Sequence, residues 1–273
     1  MTRFIGKKTH EIDTVEEISW NQWLAGIIDG DGYFNIGKNK VAVCEITMPL
    51  QDEPLLAQIK QKLGGRLSPR SGSKAVRYRL AHKAGMIDLI DRVNGFIRNS
   101  IRVNQFKTIC QHFNKSFLEP KPLTKNDGYI AGFFDADGSI CLNIAKTSAS
   151  NSIKSGMDGK IQRLIDSRGY HCLEVSISNK YKKNLIFFQQ AFGFGTIRSV
   201  GNGKYKTHVY FINLCDIAEF IDYTKKFPLR SAKRKRVWAL KQYFELKQMK
   251  AHLALEGTVQ HKAWSKFCTK WYS

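Results

Sequence analysis

The order of apolar and polar positions predicts the same series of helices and strands twice along the chain. Apolar residues three and four positions apart predict amphipathic helices, and short runs of alternating residues predict pairs of strands. The fold class is therefore α+β, with two pseudo-symmetric αββαββα halves. The first half is predicted to contain a helix ending near residue 31, strands at 33–37 and 41–48, a helix at 52–63, strands at 66–69 and 75–81, and helices at 83–94 and 101–118. The second half is predicted to contain a helix ending near residue 137, strands at 139–146 and 173–179, a helix at 182–192, strands at 195–200 and 205–213, and helices at 215–226 and 229–250.

Two prolines, Pro120 and Pro122, mark the boundary between the halves. We therefore expect four segments along the chain. They are an N-terminal half at 1–119, a linker at 120–124, a C-terminal half at 125–251 and a C-terminal extension at 252–273.

The first predicted helix of each half carries the same motif, at residues 23–32 and 129–138. Both copies read Ala-Gly, two large apolar residues, Asp, a small residue, Asp and Gly. Capping boxes are expected at the start of each helix, and a glycine in the left-handed conformation at its end. The capping pairs are Ser19 with Gln22 and Thr124 with Asp127, and the terminal glycines are Gly32 and Gly138.

Small residues four positions apart form one stripe along each motif helix. The stripes are Gln22, Gly26 and Gly30 in the first copy and Gly128, Gly132 and Ala136 in the second. Such stripes allow two helix backbones to approach closely. We therefore expect the motif helices to pack together, which brings Asp31 and Asp137 to one end of the pair.

Two carboxylates at the C-termini of two helices repel each other and the helix dipoles, so a divalent cation would stabilise them. Aspartate and main-chain oxygens suit Mg²⁺ or Ca²⁺. Two other interpretations are open. The Asp-x-Asp-Gly sequence is also found in calcium-binding loops, although its glycine is misplaced for an EF-hand here, and the acids could be incidental to a structural helix pair.

The composition indicates a protein that binds a polyanion. Lys and Arg number 44 against 23 Asp and Glu, a formal charge of +21. Residues 1–122 carry 19 basic and 12 acidic side chains, and residues 123–273 carry 25 and 11. No apolar run is long enough to span a membrane. Six cysteines without a Cys-x-x-Cys pair, and a start without a secretory leader, predict reduced thiols in an intracellular protein that is not secreted.

The doubled motif in a basic chain resembles the LAGLIDADG homing endonucleases in their single-chain, two-motif form. The resemblance implies a monomer whose two antiparallel sheets form a saddle over double-stranded DNA. It also implies that Asp31 and Asp137 bind Mg²⁺, which Ca²⁺ or Mn²⁺ can replace, together with the carbonyls of Gly30 and Ala136. Hydrolysis of one phosphodiester in each strand across the minor groove would give a double-strand break with short 3′ overhangs.

The family also has a basic residue near the start of the last long helix of each half. Lys233 matches this position, with Arg234 as a neighbouring alternative. Arg102 is the best match in the first half, one residue out of register. The earlier acids of the motifs, Asp29 and Asp135, match structural positions.

A polar residue that many family members have after the second strand is replaced here. Met48 and Ile177 align with it, and Gln51 and Asn179 lie nearby. The role of that polar residue is therefore unassigned in this chain.

Alternation along the strands predicts a DNA-facing side, because a two-stranded ribbon fits the major groove. Arg77 and Arg79 share one side of their strand. Further candidates for DNA contact are Asn35, Arg66, Arg70, Lys74, Asn143, Ser176, Arg198, Lys204, Lys206, His208 and Tyr210. Three aromatic residues of the last long helix, Trp238, Tyr243 and Phe244, are expected in the core.

The second half carries an insertion at residues 147–172 that is rich in Ser, Lys, Asn and Gly. We expect an extended, mobile hairpin loop. A DNA-contacting loop and a tolerated surface insertion are both compatible with this composition.

Two further functions are compatible with the sequence. Some members of the family assist splicing of their own intron as RNA maturases, and others are catalytically inactive DNA-binding proteins. The presence of both Asp31 and Asp137 argues against the inactive form. If an organellar intron encodes the chain, the resemblance places the protein in a chloroplast or mitochondrion.

Overall fold

Each half of the protein has one antiparallel sheet with helices on one side. The computed structural model describes residues 14–145 and 155–272. The first half comprises α1 (Val15–Asp31), β1 (Gly32–Ile36), β2 (Ala42–Pro49), α2 (Glu53–Leu63), β3 (Arg66–Pro69), β4 (Ala75–Leu80), α3 (Lys83–Val93) and α4 (Ser100–His112). The second half comprises α5 (Tyr129–Asp137), β5 (Gly138–Ile144), α6 (Gly156–Ile165), β6 (His171–Asn179), α7 (Lys183–Phe192), β7 (Thr196–Val200), β8 (Thr207–Ile212), α8 (Ile217–Lys226), α9 (Arg234–Gln248) and α10 (Val259–Tyr272).

The two sheets have the same topology, which confirms the predicted duplication. Strand order is β1-β2-β4-β3 in the first sheet and β5-β6-β8-β7 in the second. Side chains alternate between a side covered by helices and an open side, as the pleat requires. Phe34, Ile46 and Tyr78 are buried on the covered side of the first sheet, and Ile140 and Ile177 on that of the second. The α+β fold class is confirmed.

Helices α1 and α5 pack along the predicted stripes of small residues. A Cβ atom on Gly26 would lie 2.2 Å from the carbonyl oxygen of Tyr129, and one on Gly132 would lie 1.9 Å from that of Trp23. Neither distance is possible for a real side chain, so the backbones touch directly. Gln22 adds two hydrogen bonds at one end, because its amide donates to Asp127 at 2.7 Å and accepts from the Gly128 N–H at 2.8 Å.

The predicted caps of the motif helices are wrong. Helix α1 begins earlier, after Thr14, whose hydroxyl accepts from the Glu17 N–H at 3.2 Å, so Ser19 lies inside it. The Thr124–Asp127 pair forms a turn before α5 instead of capping it. Gly32 has φ −83° and Gly138 φ −73°, which are not left-handed. Glycine is needed at both positions for space, since a Cβ atom would lie 2.5 Å from the carbonyl oxygen of residue 28 or 134.

The insertion in the second half contains a helix, so the predicted hairpin loop is wrong for residues 155–172. Residues 147–154 lie outside the described part of the chain. Helix α6 buries Leu164 and packs against α10 in the C-terminal extension. Helix α10 in turn buries Trp264, Phe267 and Trp271. The insertion and the extension therefore form one additional layer on the second half.

The last long helix of each half is shorter than predicted, and one aromatic residue expected in the core is exposed. Helix α9 begins at Arg234 rather than at residue 229, and α4 ends at His112 rather than at residue 118. Tyr243 is buried and Phe244 packs against the core, but Trp238 is 65% exposed. The core prediction is therefore wrong for Trp238. None of the helices in the described residues has the length and apolar character needed to cross a membrane.

Candidate active site

Asp31 and Asp137 are the last residues of α1 and α5, and the helix contact brings them together. A Cβ atom on Gly30 would lie 2.3 Å from the Ala136 side chain and 3.6 Å from the carboxyl group of Asp137. The Asp137 carboxyl group therefore lies beside the last turn of the opposite helix. Both aspartates are partly buried.

Burial makes the charged forms of both aspartates unfavourable. It raises the pKa of Asp31 to about 6 and, together with the neighbouring Asp31 charge, the pKa of Asp137 to about 7. Lys233 and Arg102 oppose both shifts through their positive charge. The two basic side chains therefore only partly compensate the negative charge at the helix ends.

Lys233 lies at the C-terminus of α5, where a helix dipole favours a cation. Its Nζ atom donates to the carbonyl oxygens of Asp135 and Ala136, both at 2.7 Å, and of Phe134 at 3.2 Å. Arg234 is exposed, and its guanidinium group lies 4.8 Å from the centre of the Trp238 ring. Of the two basic candidates in the second half, Lys233 is thus the one that reaches the motif helix.

Arg102 occupies the corresponding place in the first half. Its Nε atom donates to the carbonyl oxygen of Ile28 at 3.3 Å, and one Nη atom donates to Gln105 at 3.3 Å. Ile28 and Phe134 are equivalent motif positions. Both predicted basic residues therefore contact carbonyls at the end of the motif helix in their own half.

The donor atoms at the helix ends fit a hard divalent cation. Two adjacent carboxylates and main-chain carbonyls supply oxygen ligands only, which suits Mg²⁺ or Ca²⁺ with water completing the shell. The Ala136 carbonyl oxygen keeps one lone pair besides the one that Lys233 uses. No group of three or more His, Cys, Asp or Glu side chains in the described residues could hold a metal ion. A cation site here would therefore depend on Asp31 and Asp137 with main-chain and solvent oxygens.

The earlier motif acids, Asp29 and Asp135, are completely buried and join the two halves. Asp29 accepts from the Tyr129 hydroxyl at 2.6 Å, and Asp135 accepts from the Trp23 indole at 2.9 Å, so each receives a hydrogen bond from the opposite motif helix. The remaining donors of each acid come from a loop in the same half, which precedes α4 in the first half and α9 in the second. They are the main-chain N–H groups of Arg98, Asn99, Arg230 and Ser231 and the Ser231 hydroxyl.

The polar residue after the second strand is present in the second half as Asn179. Gly32 pairs with Ile46 and Gly138 pairs with Ile177, so Ile177 corresponds to Ile46 and Asn179 to Met48. The sequence alignment of Ile177 with Met48 is thus wrong by two residues. The side chain of Asn179 lies close enough to the Asp137 carboxyl group to lower its pKa, against the larger effects of burial and of the Asp31 charge.

Two buried polar residues near the site were not predicted. Asp52 precedes α2 and accepts from the Ala232 N–H at 2.6 Å, and Asn184 in α7 accepts from the Ser100 N–H at 3.0 Å. Asp52 carried only the ordinary signal of a helix start, and Asn184 carried none.

The open side of the first sheet presents the predicted basic residues. Arg77 and Arg79 lie on it, with the Glu45 carboxylate 3.8 Å and 3.0 Å from their guanidinium groups. Arg66 pairs with Arg79, and Asn35 is on the open side of β1. Arg70 and Lys74 lie in the exposed turn between β3 and β4.

The predicted alternation of β8 is inverted, and Tyr210 is not on the open side. Its ring is buried, and its hydroxyl donates to the Phe194 carbonyl oxygen at 3.0 Å. The strand begins at Thr207 after a 3₁₀ turn, so an alternation counted from Lys204 has the wrong phase. Val209 and Phe211 occupy the open side. Lys204 and Lys206 lie in or beside the turn, and His208 is on the same side as Tyr210.

Other candidates of the second sheet lie on its open side. The guanidinium group of Arg198 lies 5.6 Å from the centre of the Phe211 ring. Asn143 donates to Glu174 at 2.9 Å, and Ser176, although buried, donates to the same carboxylate at 3.0 Å. Of the described strand residues on open sides, the second sheet presents one arginine, whereas the first presents three.

Two αββαββα halves in one chain, joined by glycine-lined helices that end in paired aspartates, define a two-motif nuclease fold. The chain belongs to the LAGLIDADG endonuclease family, whose model matches residues 24–114 and 130–244. Each match covers one motif and most of one half, so the single-chain, two-motif form is confirmed.

Relatives carry both endonuclease and maturase names. The chain is 42% identical to the intron-encoded RNA maturase bI4 of Saccharomyces cerevisiae, over 99% of its own length but 39% of that protein. It is 31% identical to the intron-encoded DNA endonuclease ai2b of Dictyostelium discoideum, over 91% of the chain and 88% of the relative. In structure it is similar to I-SmaMI bound to an uncleaved DNA target in the presence of calcium ions, with a TM-score of 0.57, 17% identity and coverage of 90% and 97% of the two chains.

Proposed function

We propose that the protein is a site-specific endonuclease that makes a double-strand break in a long DNA target. The observation that carries this proposal is the pair of partly buried aspartates at adjoining helix ends, each with a basic side chain from its own half nearby. One acid for each strand fits the two-fold pseudo-symmetry of a duplex. Because both acids belong to one chain, the proposed enzyme acts as a monomer.

Asp31 and Asp137, with the carbonyls of Gly30 and Ala136, would hold the divalent cation, proposed to be Mg²⁺. When bound, the cation activates water for attack on phosphorus and stabilises the leaving oxygen. Asn179, whose side chain lies near the Asp137 carboxyl group, would orient that carboxylate. Lys233 and Arg102 place positive charge beside the scissile phosphates, where charge develops during hydrolysis. Cuts across the minor groove would leave short 3′ overhangs.

The open sides of the two sheets are proposed to contact the DNA bases and phosphates. Arg66, Arg77 and Arg79 from the first sheet and Arg198 from the second have the reach and charge for guanine edges and phosphates. The similar I-SmaMI structure contains a DNA target, which supports this surface as the DNA-binding saddle. Because both relatives are intron-encoded, the protein is proposed to act in the compartment that contains its host intron.

Replacement of either terminal aspartate tests the proposed reaction. Asp31→Asn or Asp137→Asn should lower double-strand cleavage by at least ~100-fold, because each removes a cation ligand worth several kcal/mol in the transition state. DNA affinity should change little. The measurement is cleavage of a randomised duplex library with Mg²⁺ or EDTA, followed by sequencing of the cut ends. Asp222→Asn, at an exposed acid, is the matched control.

Recovery of one long asymmetric target with short 3′ overhangs would support the proposal. Full activity in both aspartate variants would contradict the assignment of the cation ligands. Tight binding without any cleavage by the unmodified chain would instead favour the inactive DNA-binding protein.

An RNA-binding role is the second candidate function, and a separate surface favours it. Trp238 is 65% exposed on α9, and the Arg234 guanidinium lies over its ring. Exposed aromatic and arginine groups of this kind stack on unpaired bases in RNA. Lys262 and Lys266 are exposed four residues apart on α10. The similarity to a protein named an RNA maturase agrees with this second surface.

Replacement of Trp238 separates the two functions. Trp238→Ala should weaken binding of structured intron RNA by about 1–3 kcal/mol, the value of one base–aromatic stack. DNA cleavage should not change, since Trp238 lies outside both open sheet sides. Filter binding and a splicing assay measure the RNA effect, with Trp238→Phe as the conservative control. Equal losses of RNA binding and DNA cleavage would contradict two separate surfaces.

A further inference from the structure

Two hydrogen bonds cross between the halves beside the proposed basic groups. Asp52 of the first half accepts from the Ala232 N–H at 2.6 Å, and Ala232 directly precedes Lys233. Asn184 of the second half accepts from the Ser100 N–H at 3.0 Å, and Ser100 begins the helix that contains Arg102. Each bond therefore holds the main chain next to the basic residue of the opposite half, one residue before Lys233 and two residues before Arg102.

Both accepting side chains are deeply buried and directed away from their own helices. Asp52 is 3% exposed and Asn184 is 2% exposed. Asp52 is at the N-cap position of α2, yet its side chain makes no capping hydrogen bond there. The carboxylate thus binds the loop of the other half. Burial lowers the pKa of Lys233, and the charge of Asp52 is one of the nearby charges that oppose this shift.

Asn184 also connects to the acid of its own half. Its amide donates to Asn179 Oδ1 at 3.0 Å, and the Asn179 side chain lies near the carboxyl group of Asp137. Two hydrogen bonds therefore link Ser100 in the first half through Asn184 to Asn179, which lies beside Asp137 in the second half. On the other side of the site, the Asp52 carboxylate makes the cross-half contact next to Lys233.

We propose that Asp52 and Asn184 are positioning residues, each of which fixes the basic residue of the opposite half. Asp52 fixes Lys233, and Asn184 fixes Arg102. Cleavage of each DNA strand then depends on groups from both halves. This inference rests on the proposed endonuclease function, because the positioned side chains act on the scissile phosphates.

Strand-resolved cleavage tests the inference. A target duplex with a different fluorescent label on each strand gives two single-turnover rates for every variant. Lys233→Met and Arg102→Met first establish which strand's cleavage rate depends on each basic residue. Asp52→Ala should slow the Lys233-dependent strand by about 10-fold, and Asn184→Ala should slow the Arg102-dependent strand similarly, because a small misplacement of a reacting group is costly.

The conservative variant distinguishes positioning from a general loss of stability. Asp52→Asn keeps an oxygen that accepts from Ala232 and should restore the rate of the affected strand. Asp222→Ala, at an exposed aspartate paired with Lys225, should leave the ratio of the two rates unchanged. DNA affinity and the urea unfolding midpoint, measured for each variant, report whether the fold is intact.

Three outcomes would overturn the inference. The first is an equal slowing of both strands by Asp52→Ala and by Asn184→Ala. The second is that Asp52→Ala and Asn184→Ala do not slow the same strands as Lys233→Met and Arg102→Met, respectively. The third is a failure of Asp52→Asn to restore the rate. If the unmodified chain cuts neither strand of any duplex, the proposed function itself fails and this inference fails with it.

Discussion

At the scale of single residues, four motif aspartates of identical chemistry have different surroundings. Asp29 and Asp135 accept hydrogen bonds from N–H and O–H donors of both halves, although burial still raises the pKa of Asp29 to about 6. Asp31 and Asp137 are partly buried at the adjoining helix ends and lack such a set of donors among the described residues. Hydrogen-bond donors therefore separate the structural acids from the proposed cation ligands.

The raised pKa values of Asp31 and Asp137 predict how stability depends on pH. Both carboxyl groups have an ordinary pKa of 3.8, raised in the folded protein to about 6 and about 7. Protonation thus favours the folded state, and their stabilising contribution is present below about pH 4 and is lost as pH rises to about 7. The difference in unfolding free energy between the metal-free protein and an Asp31→Asn, Asp137→Asn double variant should show this change. Urea titrations at several pH values measure it.

Divalent cations should reverse this loss only when both carboxylates are present. Above about pH 7, Mg²⁺ should raise the unfolding midpoint of the unmodified protein, since a ligand that binds the folded state stabilises it. A midpoint that rises equally in the double variant would contradict binding at these acids.

The sequence alone was sufficient to find these acids but not their partners. The doubled motif located Asp31 and Asp137 because its residues are consecutive. Asp52 and Asn184 approach the site from other elements through long-range packing, and a single polar side chain on a helix carries no signal of that approach. Asn179 was noted only as a neighbour of the position at which the family has a polar residue. Arg102 and Lys233 were found through the family resemblance, because periodicity alone does not mark their contact with the motif helices.

At the scale of elements, the contact between α1 and α5 leaves no room for side chains. Gly132→Ala should destabilise the protein by more than about 3 kcal/mol, because its Cβ atom would overlap the Trp23 carbonyl oxygen and force the backbones apart. Gly37→Ala is the matched control. Its Cβ atom would come close only to the flexible end of Asn39 and would lie at an ordinary contact distance of 3.7 Å from the Val41 carbonyl oxygen, so its effect should stay within about 0.5 kcal/mol. Urea unfolding measures both. Equal effects would contradict the close packing.

Helices and strands were predicted correctly where the sequence pattern was periodic. The prediction failed where tertiary packing determined whether a segment forms a helix. The strands of both sheets and α2, α3 and α7 were predicted within a few residues. The insertion was predicted as a loop from its Ser and Gly content, but α6 is stabilised by packing on α10, a contact that composition does not reveal. The alternation of β8 was misread because a 3₁₀ turn precedes the strand.

At the scale of the whole molecule, positive charge is divided between the open sides of the sheets and the helices of the second half. Strand residues on the open side of the first sheet include three arginines, whereas much of the charge of the second half lies on its helices. Residues 234–270 contain nine Lys and Arg and two acidic side chains. Total charge alone would therefore overstate how many groups contact DNA.

The dependence of DNA binding on salt should distinguish the two surfaces. Each phosphate contact adds about 0.9 to the slope of log K against log salt concentration. Arg79→Ala should reduce the slope by about 1 if it contacts phosphate, whereas Lys262→Ala on α10 should leave the DNA slope unchanged. Fluorescence anisotropy over a range of salt concentrations measures both. An equal reduction in the two variants would contradict a DNA surface confined to the sheets.

The direct backbone contact between α1 and α5 also fixes the distance between the C-terminal ends of the two helices. No side chain lies between Gly26 and the opposite helix, so exchanges of side chains cannot adjust the separation of the two helix ends. In an enzyme that cuts one DNA strand at the end of each motif helix, this separation determines how many base pairs lie between the two cuts. A variant engineered at its open sheet sides to recognise another DNA sequence should therefore produce overhangs of unchanged length.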